Sequence, residues 1–515
     1  MNSPARVRFT YDFTSQRPSF HPTMMTSPAR VRFAPSPTGR LHIGGARTAL
    51  YDYLLARQTK GVFVLRIEDT DRKRFVPGAE EEIYEALAWL GMEWDEGPDV
   101  GGPHAPYRQS ERGDIYLEHA ERLVDSGNAY YCFCTPERLA RVRKEQQARK
   151  EAPRYDGLCR RLSSEDARDR KLGGEAYVVR FKTPLDGETT GVDVIRGEIT
   201  VANATLDDYI VLKSDGLPTY HLAAMVDDHL MEITHVLRTS EWLPTFPLHV
   251  LIYEAFGWEQ PAWVHMSVLL NPSGKGKLSK RHGSGKSHAV HPLDLKELGY
   301  VPEAAVNWLA LMGWSYDDRT EFFNMPDLID KFSLAKLSAS PAAVNFSKLD
   351  HFNGLHIRSF SEQELVAKLL PYFHAANLSV TDEQLWRVVP LIQERIRTLD
   401  EAVDMAGFLF RDGVRPDPQE LVGKNMTPAE SASAVRRSIE VVQEFDQLEN
   451  DRLEFSLREL AEKLNLKVGQ LFGILRVAVT GQRVSPPLIE TMGLLGKSIV
   501  LERLESAQEA LNSLK

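Results

Sequence analysis

The sequence predicts a multidomain chain in which a doubly wound parallel α/β sheet is followed by an all-helical C-terminal part. Three observations carry that expectation. Strand and helix patterns alternate from Arg30 to Leu90, the alternation breaks between about residues 109 and 223, and helix-start signals recur from about residue 290 to the end. At roughly 100–200 residues per domain, 515 residues correspond to about three to five domains. A hydrophobic content of 43% is enough for each to bury a core.

The first element is a duplication. Met1–Phe9 returns as Met25–Phe33 with one change, separated by a Thr/Ser/Pro/Arg-rich stretch without periodicity. A unit this short cannot stack as a repeat module, and no amphipathic helix supports a transit peptide. Residues 1–24 are therefore expected to be a dispensable, disordered extension, with the functional chain starting at Met24 or Met25. Arg30 to Pro35 reads as a strand stopped by proline, and Ser36 to Gly45 as a loop. Ala46, Ala49, Leu50, Tyr53 and Leu54 then fall at i, i+3, i+4, i+7 and i+8, one face of a helix. Val62 to Ile67 is a strand, and Ala79 to Leu90 a helix closed by Gly91. Strand–helix–strand–helix implies parallel strands with ligands at their carboxyl ends.

Residues 109–223 read as an inserted α/β module. It has a helix opened by Thr135-Pro136 and strand-like runs at Ala176–Lys182 and Asp193–Val201. Sheet-like pieces resume at Leu217–Leu222 and Ile233–Arg238. Four Ser/Thr-x-x-Glu/Gln starts then mark helices: Ser361 with Glu364, Thr381 with Gln384, Thr427 with Glu430, and Ser456 with Glu459. Proline at 428 fits the first helical turn, where its missing N–H is not needed.

Three cysteines exclude a disulfide scaffold and suit a reducing, cytoplasmic compartment. No run of about 18 apolar residues occurs, so no membrane partner is expected. The net charge of −10 argues on its own against a nucleic-acid partner, because polyanions usually meet a basic surface.

Two segments carry candidate chemistry. In the first, Pro35, Thr38, Gly39, His42, Gly44 and Gly45 lie between a strand and a helix N-terminus, where glycines admit a ligand and the helix end favours phosphate. The second, Gly274 to Lys286, holds Lys277, Ser279, Lys280 and Arg281 between glycines, so mobile cations could gather on polyphosphate. Neither is a Walker loop, and each alone also reads as an ordinary turn or a solvated basic patch.

Together they resemble the class I aminoacyl-tRNA synthetases, and among them the bacterial glutamyl group. His42-Ile-Gly-Gly45 resembles the class's His-Ile-Gly-His signature, and Lys277-Leu-Ser-Lys-Arg281 its Lys-Met-Ser-Lys-Ser loop. The narrower match rests on Arg32-Phe-Ala-Pro-Ser-Pro-Thr-Gly39, Arg66-Ile-Glu-Asp-Thr-Asp-Arg72, Tyr107-Arg-Gln-Ser-Glu-Arg112, Leu217-Pro-Thr-Tyr-His-Leu222 and Val226-Asp-Asp-His229. The resemblance runs from about residue 29 to the C-terminus.

It implies a Rossmann-like catalytic domain at 25–108 and 224–290, an acceptor-stem module at 109–223, a stem-contact domain at 291–359, and helical anticodon domains at 360–445 and 446–515. The implied substrates and partners are ATP with Mg²⁺, L-glutamate and glutamate tRNA, used by a cytoplasmic monomer. His42 and Lys280 would be catalytic. Arg32 and Tyr220 would face the side-chain carboxylate of glutamate, Arg238 the α-carboxylate and Glu68 the ammonium, with Ala34 and Ser36 completing the wall. Glutamine is nearly isosteric, so rejection would come from stranding a buried arginine. One departure is Thr239-Ser240-Glu241-Trp242, where the family usually has two acids.

Cys132, Cys134 and Cys159 could hold three corners of a zinc site, as in some family members. The family's histidine ligand is replaced by Arg161, leaving Tyr155 or water as the fourth donor, or three thiols in a reduced core. Arg395 and Arg476 match anticodon contacts, Arg395 the one associated with rejecting the glutamine anticodon. A glutaminyl enzyme would carry β-barrels instead of helices, a tRNA-modifying paralogue would lack the anticodon half, and a non-catalytic RNA-binding relative would be expected to lose both signature loops.

Overall fold

The protein is described here by a computed structural model that places residues 27–278, 289–411 and 413–514. The duplicated start, and Ser279, Lys280 and Arg281 of the second loop, lie outside the described residues. The chain forms two compact units. One is the chain up to Leu293 together with Val306–Phe346, and the other is Asp294–Ala305 together with Ser347 to the C-terminus.

The first unit begins with β1 (Arg30–Phe33), α1 (Ile43–Thr59), β2 (Val62–Leu65) and α2 (Ala79–Trp89). β1 and β2 pair in parallel, with Arg32 opposite Val64. Only glycine fits at 61, because a Cβ there would lie 1.9 Å from the Ala29 carbonyl oxygen. That close approach lets the Val62 N–H donate to Ala29 O at 2.9 Å and start the pairing.

The middle of the unit holds α3 (Gly113–Asp125), β3 (Ala129–Cys132), α4 (Pro136–Ala148), α5 (Ser164–Leu172) and β4 (Val178–Phe181). Next come β5 (Glu188–Asp193), β6 (Gly197–Ala202), β7 (Ile210–Leu212), α6 (Tyr220–Leu230), β8 (His235–Thr239), α7 (Phe246–Phe256) and β9 (Ala262–Met266). β3, β4 and β7 form a small antiparallel sheet. β8 and β9 are parallel, with Arg238 opposite His265, and β5 joins β9 in parallel at Asp193. The Thr234 N–H donates to Arg30 O at 2.9 Å, which sets β1 beside the start of β8.

Two expected strands differ from what forms. The run Asp193–Val201 is two strands, because Asp193 Oδ1 accepts from the N–H groups of Ile195 and Arg196 and Gly197 takes a positive φ of 75°. That turn folds the chain back, so Asp193 pairs with Gly197, and the hairpin extends the sheet that carries Arg238. Leu217–Leu222 is mostly not sheet, since a helix begins at Tyr220. Thr219 is still extended and serves as the N-cap, so the six-residue run straddles a strand-like segment and the first turn of the helix, too short a stretch for period to separate the two.

In the second unit, Ser361, Thr381 and Thr427 each cap a helix through a complete reciprocal box. Ser456 does not. It lies inside the helix Asn450–Lys463, whose buried stripe of Leu453, Leu457, Leu460 and Ala461 starts upstream of it. A Ser-x-x-Glu pattern caps only where the preceding residues leave the helix. The core here packs Val435, Leu457, Leu475 and Leu504. The C-terminal helix Leu488–Ser513 is interrupted at Gly496, whose φ of 78° is open to glycine.

Candidate active site

At the carboxyl ends of β1 and β2 the sequence places charges inside an apolar sheet. Arg32 is 4% exposed and donates from Nε to Asp228 Oδ1 at 2.9 Å and from Nη1 to Leu237 O at 3.4 Å. Arg66 is fully buried and donates from Nη1 to the same Asp228 oxygen at 2.8 Å and from Nη2 to Glu68 Oε1 at 3.2 Å. Asp227, next along α6, accepts from Gln109, Arg112 and Tyr116 at 2.7–2.8 Å. Three guanidinium groups, Arg32, Arg66 and Arg112, thus meet three carboxylates, Glu68, Asp227 and Asp228, away from water. Taking ions out of water costs several kcal/mol each, so such a cluster persists only while its charges balance.

The balance sets the titration of each acid. For Asp228, burial would raise the pKa, but Arg32 and Arg66 outweigh it and hold the group below the usual carboxylate range. For Glu68 burial prevails over Arg66 and Arg32, and its pKa is pushed up to about 7. Asp52 on α1 is fully buried, with neither carboxylate oxygen hydrogen-bonded among the described residues, and burial raises it well above its ordinary value. Among its neighbours, Arg32 opposes that shift and Asp228 adds to it.

Arg238 on β8 differs from Arg32. It is 5% exposed, its Nε donates to His265 Nε2 at 2.9 Å, and Nη1 and Nη2 have no hydrogen-bond partner among the described residues. Two buried, unmatched donors of fixed geometry suit a carboxylate, which can accept both. Tyr220, the first residue of α6, stacks on Trp242 with ring centroids 3.9 Å apart. The charges of Arg238, Glu68, Arg32 and Asp228 all act on its phenol. Arg32, Glu68, Tyr220 and Arg238 therefore form one electrostatic cluster. A cleft of about 460 Å³ that includes Ile233, His235, Tyr253 and Pro261 shares only Asp228 with these groups.

The glycine loop leads from β1 into α1. Ala34, Pro35, Thr38 and Gly39 are half-buried and Ser36 is exposed. Pro35 O accepts from the Glu68 N–H at 2.9 Å, which holds the loop against the end of β2. His42 is the N-cap of α1, its Nδ1 accepting from the Gly44 N–H at 3.1 Å. In the neutral ring the proton then resides on Nε2, the tautomer needed to donate to an anion. Gly44 and Gly45 occupy the first turn. Of the second loop, Lys277 makes a half-exposed ion pair with Glu241 at 2.6 Å. The one acid retained in the Thr239–Trp242 stretch thus faces that loop.

The three cysteine sulphurs lie within 4.8 Å of one another. The Tyr155 hydroxyl is 3.5 Å from Cys132 Sγ and 3.6 Å from Cys134 Sγ. Arg161 ends a short turn that starts at Cys159. In the second unit, Arg395 is exposed beyond the helix Asp382–Ile392, while Arg476 donates to Ser485 Oγ at 2.6 Å and Pro486 O at 2.8 Å. Arg395 is near enough that its charge lowers the Arg476 pKa, after burial.

Residue types alone left Arg66, Asp227 and Asp228 without a role. The available signal was charge inside apolar patterns, Arg66 after Val62–Leu65 and the two acids inside α6, which points to buried pairing. Asp193 and His265 gave no such signal, being brought together only by the pairing of β5 with β9.

The profile of tRNA synthetases class I (E and Q), catalytic domain, matches residues 28–351, and that of the anticodon binding domain matches residues 364–508. The chain is 47% identical over 496 residues to a glutamate–tRNA ligase of Dehalococcoides mccartyi, covering 95% of this chain and 100% of that one. It is 46% identical over 498 residues to a glutamate–tRNA ligase of Herpetosiphon aurantiacus, covering 95% and 98%. Among solved structures it is similar to a glutamate tRNA ligase of Elizabethkingia meningosepticum in complex with its amino acid. The TM-score is 0.85 and the identity 37%, over 95% of this chain and 100% of that one.

Replacing Asp228 by alanine leaves Arg32 and Arg66 buried without their shared anion. Urea unfolding should show a loss of about 3–5 kcal/mol in the first unit. A loss below about 1 kcal/mol would mean that the ion pairs do not hold the strands and α6 together.

Proposed function

The chain belongs to the class I tRNA synthetases specific for glutamate and glutamine, and on that premise we propose that it is a glutamate–tRNA ligase. It activates L-glutamate with ATP to glutamyl-adenylate and pyrophosphate, then transfers the glutamyl group to the terminal ribose of its tRNA. The observation that best supports a dicarboxylic amino acid is the cluster itself, with Arg238 offering two open donors, Arg32 and Tyr220 beside them, and Glu68 as the acid.

In this reading the α-carboxylate docks on Arg238 and the ammonium on Glu68, while Arg32 and Tyr220 meet the side-chain carboxylate against Ala34 and Ser36. ATP enters with Mg²⁺ as its phosphate counter-ion. Pro35, Thr38, Gly39, Gly44 and Gly45 let the nucleotide approach the backbone, and His42 donates to phosphate at the α1 N-terminus. The carboxylate attacks the α-phosphorus and pyrophosphate leaves. Both partners are anionic, so alignment and charge compensation supply most of the acceleration. Lys277, Ser279, Lys280 and Arg281 would close over the phosphates as charge builds on them, Lys280 most of all.

The helical residues from 360 onward, matched by the anticodon profile, would read the tRNA. Arg395 beside Arg476 supports selection of glutamate tRNA over glutamine tRNA, since a splayed base can be hydrogen-bonded and stacked on such planes. Residues 109–223 would receive the acceptor stem and 291–359 the inner corner of the tRNA. The enzyme acts as a cytoplasmic monomer. No described helix is long and apolar enough to cross a membrane.

The cysteine cluster fits zinc. Tetrahedral zinc with sulphur at ~2.3 Å needs sulphurs ~3.8 Å apart, and the Cys134–Cys159 separation is 3.6 Å. Cys132, Cys134 and Cys159 would hold the ion with the Tyr155 oxygen as the fourth donor, shaping the module and taking no part in the reaction.

The reading is tested by ATP–pyrophosphate exchange with purified protein. Exchange should require glutamate, rise strongly when the tRNA is added, and fall far more in rate than in ATP affinity for Lys280→Ala. No glutamate-dependent exchange with tRNA present would refute the assignment. Glu68 provides a pH signature. A carboxyl group with a pKa of about 7 is neutral below that pH and anionic above it, so the KM for glutamate should fall as pH rises through about 7. Glu68→Gln should remove that limb, and a pH-independent KM between 5.5 and 8 in the parent enzyme would dismiss Glu68 as the ammonium partner. Elemental analysis of protein purified without chelator should find one zinc per chain, lost in Cys159→Ser. A substoichiometric value in the parent protein would reject the zinc site.

A further inference from the structure

Arg238 is the side chain whose orientation matters most to the reading above, yet neither Nη group makes a well-formed hydrogen bond among the described residues, the Tyr220 phenol being the polar group that acts on it from the pocket side. Its Nε donates to His265 Nε2 at 2.9 Å, directly across the β8–β9 pairing. The guanidinium also lies over the Trp263 ring, 4.8 Å from its centroid. His265 is fully buried. Its Nδ1 lies 2.8 Å from Asp193 Oδ2, and its backbone N–H donates to that same oxygen at 2.8 Å. Asp193, also fully buried, receives the N–H groups of Ile195 and Arg196 on its other oxygen.

We propose that Asp193 and His265 are positioning residues that aim Arg238 at the α-carboxylate of the amino acid, a relay running from β5 through β9 to β8. The proton count fixes its direction. The Arg238 Nε–H can only donate, so His265 Nε2 must be unprotonated. The ring proton then resides on Nδ1, where Asp193 accepts it. Asp193 cannot rotate away, because four N–H groups hold its two oxygens. A doubly protonated His265 would set N–H against N–H and cation against cation.

The groups facing His265 are Arg238 on β8, Asp193 and Arg196 on the β5–β6 hairpin, and His249 on α7. Burial first, and Arg238 second, hold its pKa down to about 4, so the acceptor persists at neutral pH. Phe246 of α7 closes the ring from one side at 4.9 Å between centroids. It fits there because residue 191 is glycine, where a Cβ would lie 2.4 Å from the Phe246 ring.

The inference rests on Arg238 meeting the α-carboxylate, and one experiment separates the two claims. In aminoacylation with saturating ATP and tRNA, the KM for glutamate is compared with the Ki of the amino alcohol carrying CH₂OH in place of that carboxylate. His265→Asn retains a donor toward Asp193 but no acceptor for Arg238. It should raise the KM about tenfold or more while the Ki stays within about twofold. His265→Gln, whose side-chain oxygen can reach the Nε2 position, should recover most of the loss. Asp193→Asn turns an amide N–H₂ toward His265, moves the ring proton to Nε2, and should resemble His265→Asn even if the latter folds poorly.

Arg238→Gln should abolish the preference for glutamate over the alcohol. If it does so while His265→Asn and Asp193→Asn retain that preference, the relay is wrong and the arginine assignment stands. Equal losses for both ligands in the His265 and Asp193 variants would reduce the relay to general packing. If Arg238→Gln itself retains the preference, the α-carboxylate assignment falls and the relay with it.

Discussion

The first unit depends on one carboxylate oxygen accepting from two arginines. Asp228 Oδ1 is bonded to Arg32 and Arg66, residues 196 and 162 positions away, so the strand pair at the start of the unit and the helix before β8 are locked through a single atom. In water such pairs contribute little. Here all three groups are buried, and removing any member would strand the others in a low-dielectric interior. The arrangement fixes the pocket wall before any ligand arrives, because the carboxyl ends of β1 and β2 can take only one relation to α6.

The same electrostatics separate the roles of neighbouring groups. Arg32 commits Nε to Asp228, whereas Arg238 keeps both terminal nitrogens open. Asp228 is held below the usual carboxylate range between two cations, while Glu68, bonded to Arg66 at 3.2 Å and less well compensated, is pushed up to about 7. Asp52 is raised well above its ordinary value by burial. Five charged residues that look interchangeable in a list of charges therefore behave differently, according to how many partners burial leaves each of them. A buried carboxyl group pushed up to about 7 within a cluster of arginines is the kind of perturbed group that concentrates at functional sites.

Much of this was legible from local chemistry. The strand, glycine loop and helix from Arg30 to Thr59 form as their periodicity predicts, and three of the four helix caps form, because both depend on neighbours in the chain. Ser456 misleads because a cap motif is silent when apolar spacing carries the helix past it. The run at Leu217 misleads because its six residues straddle a boundary, extended as far as Thr219 and helical from Tyr220. Asp193 looked like one residue of a strand, yet its carboxylate ends that strand and begins the next by capping the turn.

Sequence alone determined the family resemblance, the alternating α/β start, the helical second half and the residue types at each loop. All of these follow from side-chain identity and short-range spacing. Only the tertiary structure decided which charges are spent and which remain available. The partners of Arg32, Arg66, Arg238 and His265 arrive from distant parts of the chain, and a buried group's protonation depends on every charge that surrounds it.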